Sequence, residues 1–269
     1  MSRPLTLVDL RGMKSRGERM VCLTAYDASF ARLVEAAGAE LVLVGDSLGM
    51  VVQGHDTTLP VTLDEMIYHT RCVARGLRSV AGRAMLIADL PFMSYATPEQ
   101  ALHSAARLMK EGGAQMVKLE GGGPQLETVQ ALSRQGIPVC AHLGLTPQSV
   151  HKLGGYRVQG REPKAAQAML EDAVALEAAG ADLLILECIP SALAEAITRA
   201  LAIPVIGIGA GPACDGQVLV SYDLLGLSPR PPKFVRNYAQ SHGAPDKALK
   251  AFVDDVRRGD FPGPEHCFT

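Results

Sequence analysis

Eight short, nearly continuous apolar runs recur along the chain, at residues 20–25, 41–44, 84–89, 115–120, 137–142, 182–187, 203–208 and 217–220. Apolarity that does not alternate marks strands buried on both faces, as in a parallel sheet covered by helices. Segments of helical period lie between many of the runs. Asp27 and Ser29 supply capping residues before Phe30, Leu33, Val34 and Ala37, and that stretch closes at Gly38. Thr62 is placed to cap a helix reaching about residue 80. Thr97-Pro98-Glu99 opens another that ends at Gly112-Gly113, and a further one runs from about 164 to Gly180.

Eight strands in a chain of 269 residues predict a single (β/α)8 TIM barrel. Its core spans about residues 18–225, with a short N-terminal helix near 5–13 and a C-terminal helical extension over about 226–269. The links near the end are compressed, which leaves an open sheet as the alternative. Two loops, 49–60 and 143–163, are longer than connections usually are, and such loops tend to be functional.

Composition narrows the classes of function. Hydrophobic residues make up 48% and charged residues 20%, the balance of a folded globular chain. A net charge of −2 without a basic run, 4% aromatics and no Trp argue against nucleic-acid binding. No apolar run reaches the ~20 residues of a bilayer span. Six scattered cysteines without a Cys-x-x-Cys pair read as reduced thiols. The expectation is a cytoplasmic protein with small-molecule substrates and neither membrane nor nucleic-acid partners.

The chemistry is expected where the strands end, because the C-terminal rim of such a barrel carries the active site. Asp46, Asp89, Glu120, His142 and Glu187 fall at the ends of strands two to six, and Lys118 shares a strand face with Glu120. Taken singly, an Asp there is more often a helix cap, His142 a hydrogen-bonding residue and Lys118 a neutraliser of Glu120. Together, clustered carboxylates with one lysine suit a hard divalent cation, Mg2+ more than Zn2+. Such a cation can chelate a 2-oxo acid and stabilise its enolate. A carboxylate buried at a strand end, its pKa raised, would serve as the base. Gly207–Gly211 resembles a phosphate-cradling loop, but the signal is weak, and a close approach of backbone or ligand is the more frequent reason for such glycines.

Specific segments carry a family resemblance. They are Leu23-Thr24-Ala25-Tyr26-Asp27, Gly45-Asp46-Ser47-Leu48-Gly49-Met50, Gly54-His55-Asp56-Thr57-Thr58-Leu59-Pro60-Val61-Thr62 and Ala88-Asp89-Leu90-Pro91-Phe92-Met93. Val117-Lys118-Leu119-Glu120-Gly121, His142-Leu143-Gly144-Leu145-Thr146-Pro147-Gln148, Gly154-Gly155-Tyr156, Leu186-Glu187-Cys188 and Gly207-Ile208-Gly209-Ala210-Gly211 complete the set. From about Leu5 to Phe234 the chain resembles the ketopantoate hydroxymethyltransferase family.

The resemblance implies transfer of a one-carbon unit from 5,10-methylenetetrahydrofolate to 3-methyl-2-oxobutanoate, giving 2-dehydropantoate on the route to pantothenate and coenzyme A. It implies Mg2+ on Asp46 and Asp89, with Glu120 as the third acidic residue of the metal site. Contacts to the oxo acid fall on Asp46, Ser47, Asp89 and Lys118, the proton acceptor is Glu187, and His142 lies at the mouth in a supporting position. It also implies a homo-oligomer, commonly a decamer. Two rivals stand beside it. One is a lyase or mutase of the phosphoenolpyruvate mutase and isocitrate lyase kind, for which Cys140-Ala141-His142 is a poor match to the expected Cys-Gly-His loop. The other is a non-catalytic barrel that binds a phosphorylated metabolite through Gly207–Gly211.

Overall fold

The computed structural model describes residues 3–269. Its eight strands are β1 Met20–Thr24, β2 Leu41–Val44, β3 Met85–Asp89, β4 Met116–Glu120, β5 Val139–Gly144, β6 Leu183–Glu187, β7 Val205–Ile208 and β8 Gly216–Leu219. They pair in sequence order, all parallel, and β8 returns to β1 to close the barrel. A closed parallel barrel leaves no edge and buries every strand on both sides, which is why the runs are continuously apolar. The alternative of an open sheet is excluded by the β1–β8 pairing.

Helices start where the sequence supplies caps. Asp27 Oδ1 accepts from the backbone N–H of Ser29 and Phe30, at 2.7 and 2.8 Å, and opens the helix Ala28–Ala37. Thr62 and Glu65 form a reciprocal capping box ahead of Leu63–Ser79. Thr97 caps Pro98–Arg107, which runs on through a wider π turn, Leu108–Gly112. Helices Leu126–Arg134 and Ser191–Ala200 have no side-chain cap, and nothing local in the sequence marks where they begin.

The last part of the barrel departs from a regular repeat. Residues 209–215 pass directly from β7 to β8 without a helix. The helix Pro245–Arg258 instead packs against β1 and Ala28–Ala37. Its Leu249, Phe252, Val253 and Val256 are buried, and with Phe234 and Phe261 they belong to the same apolar core as the strands. The two long loops are not wholly irregular. The first begins in a helical turn, Leu48–Val51, and the second holds a 3-10 turn, Pro147–Ser149, and a helical turn, Val150–Leu153.

Candidate active site

Strand register brings the ionisable residues into neighbouring positions. Asp89 of β3 lies beside Lys118 of β4, and Glu120 of β4 beside His142 of β5. Residues 118 and 120 share a face, and both turn into the barrel, where both are buried. Asp46 follows β2, and Glu187 ends β6.

The contacts form a chain across the mouth. The backbone N–H of Asp46 donates to Asp89 Oδ2 at 3.0 Å. Lys118 Nζ stands 3.0 Å from Asp89 Oδ1 and 3.8 Å from Glu120 Oε1. His142 Nδ1 is 3.6 Å from Glu120 Oε1, and its Nε2 is 3.2 Å from Glu187 Oε2. The Asp89 Oδ1 contact and both His142 contacts are ion-pair distances without the alignment of hydrogen bonds. Ser47 Oγ shares a hydrogen bond of 2.8 Å with Tyr26 OH. Gly45 leaves the room this requires: a Cβ there would sit 2.7 Å from Ser47 Oγ.

All six sequence-predicted ionisable residues therefore meet at one place, with Ser47 beside them. Asp46, Asp89, Lys118, Glu120 and His142 are each no more than 5% exposed, whereas the Glu187 side chain keeps 15%. Burial of so many charges moves their equilibria. Burial pushes the Asp46 carboxyl well above its ordinary value, and the negative charges of Asp89 and Glu120 add to that, against Lys118 and Gln148. Burial opposes the charge of Lys118, but Asp89, Glu120 and Asp46 outweigh it and raise its pKa. Burial and Lys118 disfavour a charged His142, yet contacts with Glu120 and Glu187 win and push it up to about 9. Burial works against ionised Glu120, but contacts with His142 and Lys118 hold it below the usual range.

Four carboxylates face two cationic groups, which leaves an excess of two negative charges when all are ionised. That excess suits one divalent cation. Each aspartate has one oxygen already used, Asp46 Oδ2 by Gln148 and Asp89 Oδ2 by the Asp46 N–H, and Asp89 Oδ1 lacks an aligned donor. Among the described residues no group of three or more His, Cys, Asp or Glu side chains is disposed to hold a metal ion. The two aspartate oxygens without an aligned donor suit a hard cation, which would take its other ligands from water and substrate oxygens.

Three further residues belong to the site and carry no signal at a strand end. Gln148, in the 3-10 turn after β5, donates from Nε2 to Asp46 Oδ2 at 2.8 Å and to Leu90 O at 3.0 Å. Its backbone N–H donates to Glu120 Oε2 at 3.0 Å. Tyr95 OH donates to Gln148 Oε1 at 2.5 Å and accepts from the Glu120 N–H at 3.3 Å. Tyr156, from the same long loop as Gln148, reaches the sulfur of Met50 at 3.5 Å and so links the loops that follow β5 and β2. The sequence offered Tyr156 and Gln148 only as members of matching segments.

The glycine loop follows the close-approach reading. A Cβ on Gly209 would lie 2.8 Å from the Phe234 ring and 3.1 Å from that of Phe268, and one on Gly211 would meet Ser191 Oγ at 2.3 Å. No helix follows the loop to offer a free N-terminus. The glycines admit the chain's own C-terminal segment against the barrel, the other reading that the sequence left open.

Comparison with known proteins assigns the chain to a family. A profile of the ketopantoate hydroxymethyltransferase family matches residues 4–264. The chain belongs to that family. It is accordingly an enzyme, a transferase. A 3-methyl-2-oxobutanoate hydroxymethyltransferase of Alkalilimnicola ehrlichii is 61% identical over 267 residues, covering 99% of this chain and 95% of the relative. One of Halorhodospira halophila is 60% identical over 264 residues, covering 98% and 94%. Among solved structures, a 2,3-dimethylmalate lyase described as a member of the PEP mutase/isocitrate lyase superfamily aligns with a TM-score of 0.57 at 19% identity, covering 97% of this chain and 90% of that one. A phosphonopyruvate hydrolase complex with oxalate and Mg2+ aligns at 0.61 and 13% identity, covering 97% and 92%. At those identities the likeness establishes the shared barrel fold. No helix among the described residues is long and apolar enough to cross a membrane.

Proposed function

We propose that this chain transfers a hydroxymethyl group from 5,10-methylenetetrahydrofolate to 3-methyl-2-oxobutanoate, giving 2-dehydropantoate for pantothenate synthesis. The supporting observation is the buried cluster itself, in which Asp46, Asp89 and Glu120 gather beside Lys118 while Glu187 stands at its more exposed edge. Asp46 and Asp89 would hold Mg2+, with Glu120 acting on it through water. When bound, the cation supplies Lewis-acid polarisation of the keto oxygen.

The protein's own groups account for the rest. Lys118 and Ser47 face the oxo acid, where the ammonium balances carboxylate or enolate charge. Glu187 accepts the C3 proton, and the freed electron pair forms the new C–C bond to the methylene carbon of the carrier. Water supplies the hydroxyl oxygen, and tetrahydrofolate departs. His142 holds Glu187 from one side and Glu120 from the other.

The lyase reading rests on the shared fold alone. Cys140 lies inside β5 rather than on a loop, and burial pushes its thiol up, so it does not make a catalytic thiolate. We extend the family reading to assembly into a homo-oligomer, a decamer, which light scattering tests. Exchange of the C3 proton of 3-methyl-2-oxobutanoate in deuterated water, followed by NMR, tests the first chemical step. Mg2+-dependent exchange is expected, and exchange indifferent to chelation contradicts the reading.

A further inference from the structure

Gln148 carries no charge, yet it meets acidic groups from two different strands, Asp46 through its side chain and Glu120 through its backbone N–H. Its position in a loop turn, buried to 6% exposure, is otherwise an expensive place for an amide. Every polar group of that residue's side chain is used. Both protons of Nε2 go to acceptors, Asp46 Oδ2 and Leu90 O, and Oε1 accepts from Tyr95.

The orientation of the amide is determined by its neighbours. Tyr95 OH accepts the Glu120 N–H, so its own proton is free for Gln148 Oε1. Turning the amide over would set Oε1 against the Asp46 carboxylate and the Leu90 carbonyl, two acceptors facing a third. Tyr95 thereby fixes which end of the amide meets Asp46. The same residue's backbone N–H holds Glu120 Oε2. One turn after β5 therefore sets the positions of carboxylates that follow β2 and end β4.

We propose that Gln148 is a positioning residue that occupies one oxygen of Asp46 and one of Glu120, leaving the other Asp46 oxygen for a divalent cation and the other Glu120 oxygen toward Lys118 and His142, with Tyr95 locking its amide in the productive orientation. The inference rests on the cation reading above and adds the residues that prepare the site. Gln148 meets neither substrate nor cation. It acts by denying Asp46 the freedom to rotate and by keeping the like-charged carboxylates apart on separate donors. A residue that only filled space would be replaced without loss by an apolar side chain of the same shape.

The test is binding of Mn2+ alone, in the absence of oxo acid, followed by electron paramagnetic resonance of the free ion on the full chain. Gln148→Met keeps the shape and removes the donors, and is expected to weaken Mn2+ at least tenfold, the order expected for a lost hydrogen bond to a charged group. Tyr95→Phe removes one hydroxyl and is expected to weaken it by a smaller factor. The double variant is expected to lose less than the product of the two single losses, because the hydroxyl's contact with the amide is already gone in Gln148→Met and only its contact with the Glu120 N–H remains to be lost. Such coupling is not produced by two independent packing defects.

Mn2+ affinity within twofold of wild type in folded Gln148→Met overturns the proposal, and so do independent, multiplying losses in the double variant. Should Gln148→Met fail to fold, unchanged affinity in Tyr95→Phe overturns the amide-locking role and a loss supports it. Wild-type protein that binds no Mn2+ at all removes the cation reading together with this one, an outcome distinct from equal binding by wild type and variant.

Discussion

His142 Nε2 lies 3.2 Å from Glu187 Oε2, and that contact ties the candidate base to the buried part of the cluster. The opposite nitrogen faces Glu120 at 3.6 Å, so one imidazole stands between two carboxylates contributed by different strands. Its charge state then matters to the fold as well as to the reaction.

Contacts with Glu120 and Glu187 overcome burial and raise His142 from an ordinary value near 6.5 to about 9. A pKa raised on folding stabilises the protein fully below the unfolded value, and the contribution is lost as pH rises through the folded one. In metal-free buffer, the stability advantage of wild type over His142→Gln should shrink by about 3 kcal/mol between pH 6 and pH 9.5. Urea unfolding of both proteins across that range measures it. A constant difference would mean that folding leaves the His142 proton equilibrium where it is in the unfolded chain.

Asp89→Asn removes the partner that sits nearest to buried Lys118. An unpaired buried charge costs about 3 kcal/mol, the lower end of the usual range because Glu120 remains close. Binding of Mg2+ and of the oxo acid should weaken together in titration calorimetry. Retention of both at wild-type strength would take Asp89 out of the site.

Gly45→Ala puts a methyl group 2.7 Å from Ser47 Oγ, too close for the hydroxyl to stay where Tyr26 holds it. The expected result is a loss of about 1 kcal/mol of stability and a rise on the order of tenfold in the KM for oxo acid. Unchanged KM would show that Ser47 does not meet the substrate.

The strands were readable because burial on both faces leaves a continuous apolar signature, and the strand-end acids were readable because the barrel gives those positions one meaning. Helices with Asp27, Thr62 or Thr97 at their start were equally plain. Leu126–Arg134 and Ser191–Ala200 were not, since no side chain caps them and neither opens on a proline as Pro163–Ala179 and Pro245–Arg258 do. Gln148 and Tyr95 escaped because a loop residue acquires its role only when tertiary contacts bring it to Asp46 and Glu120. Gly209 and Gly211 left two readings open, and only the positions of Phe234, Phe268 and Ser191 decide between them.

Glu187→Gln preserves the shape at the edge of the cluster and removes the proton acceptor. Exchange of the C3 proton in deuterated water should fall by a factor on the order of a hundred or more, as for loss of a general base. Oxo-acid binding should persist, because the candidate contacts at Asp46, Ser47, Asp89 and Lys118 are untouched. Exchange at the wild-type rate would assign the base elsewhere.

Formation of product tests the whole account most directly. Purified protein is incubated with 3-methyl-2-oxobutanoate, 5,10-methylenetetrahydrofolate and Mg2+, and 2-dehydropantoate is measured by mass spectrometry. The account predicts product in the complete mixture, loss on chelation and recovery when Mg2+ is restored. A folded protein that forms no 2-dehydropantoate in the complete mixture would contradict it.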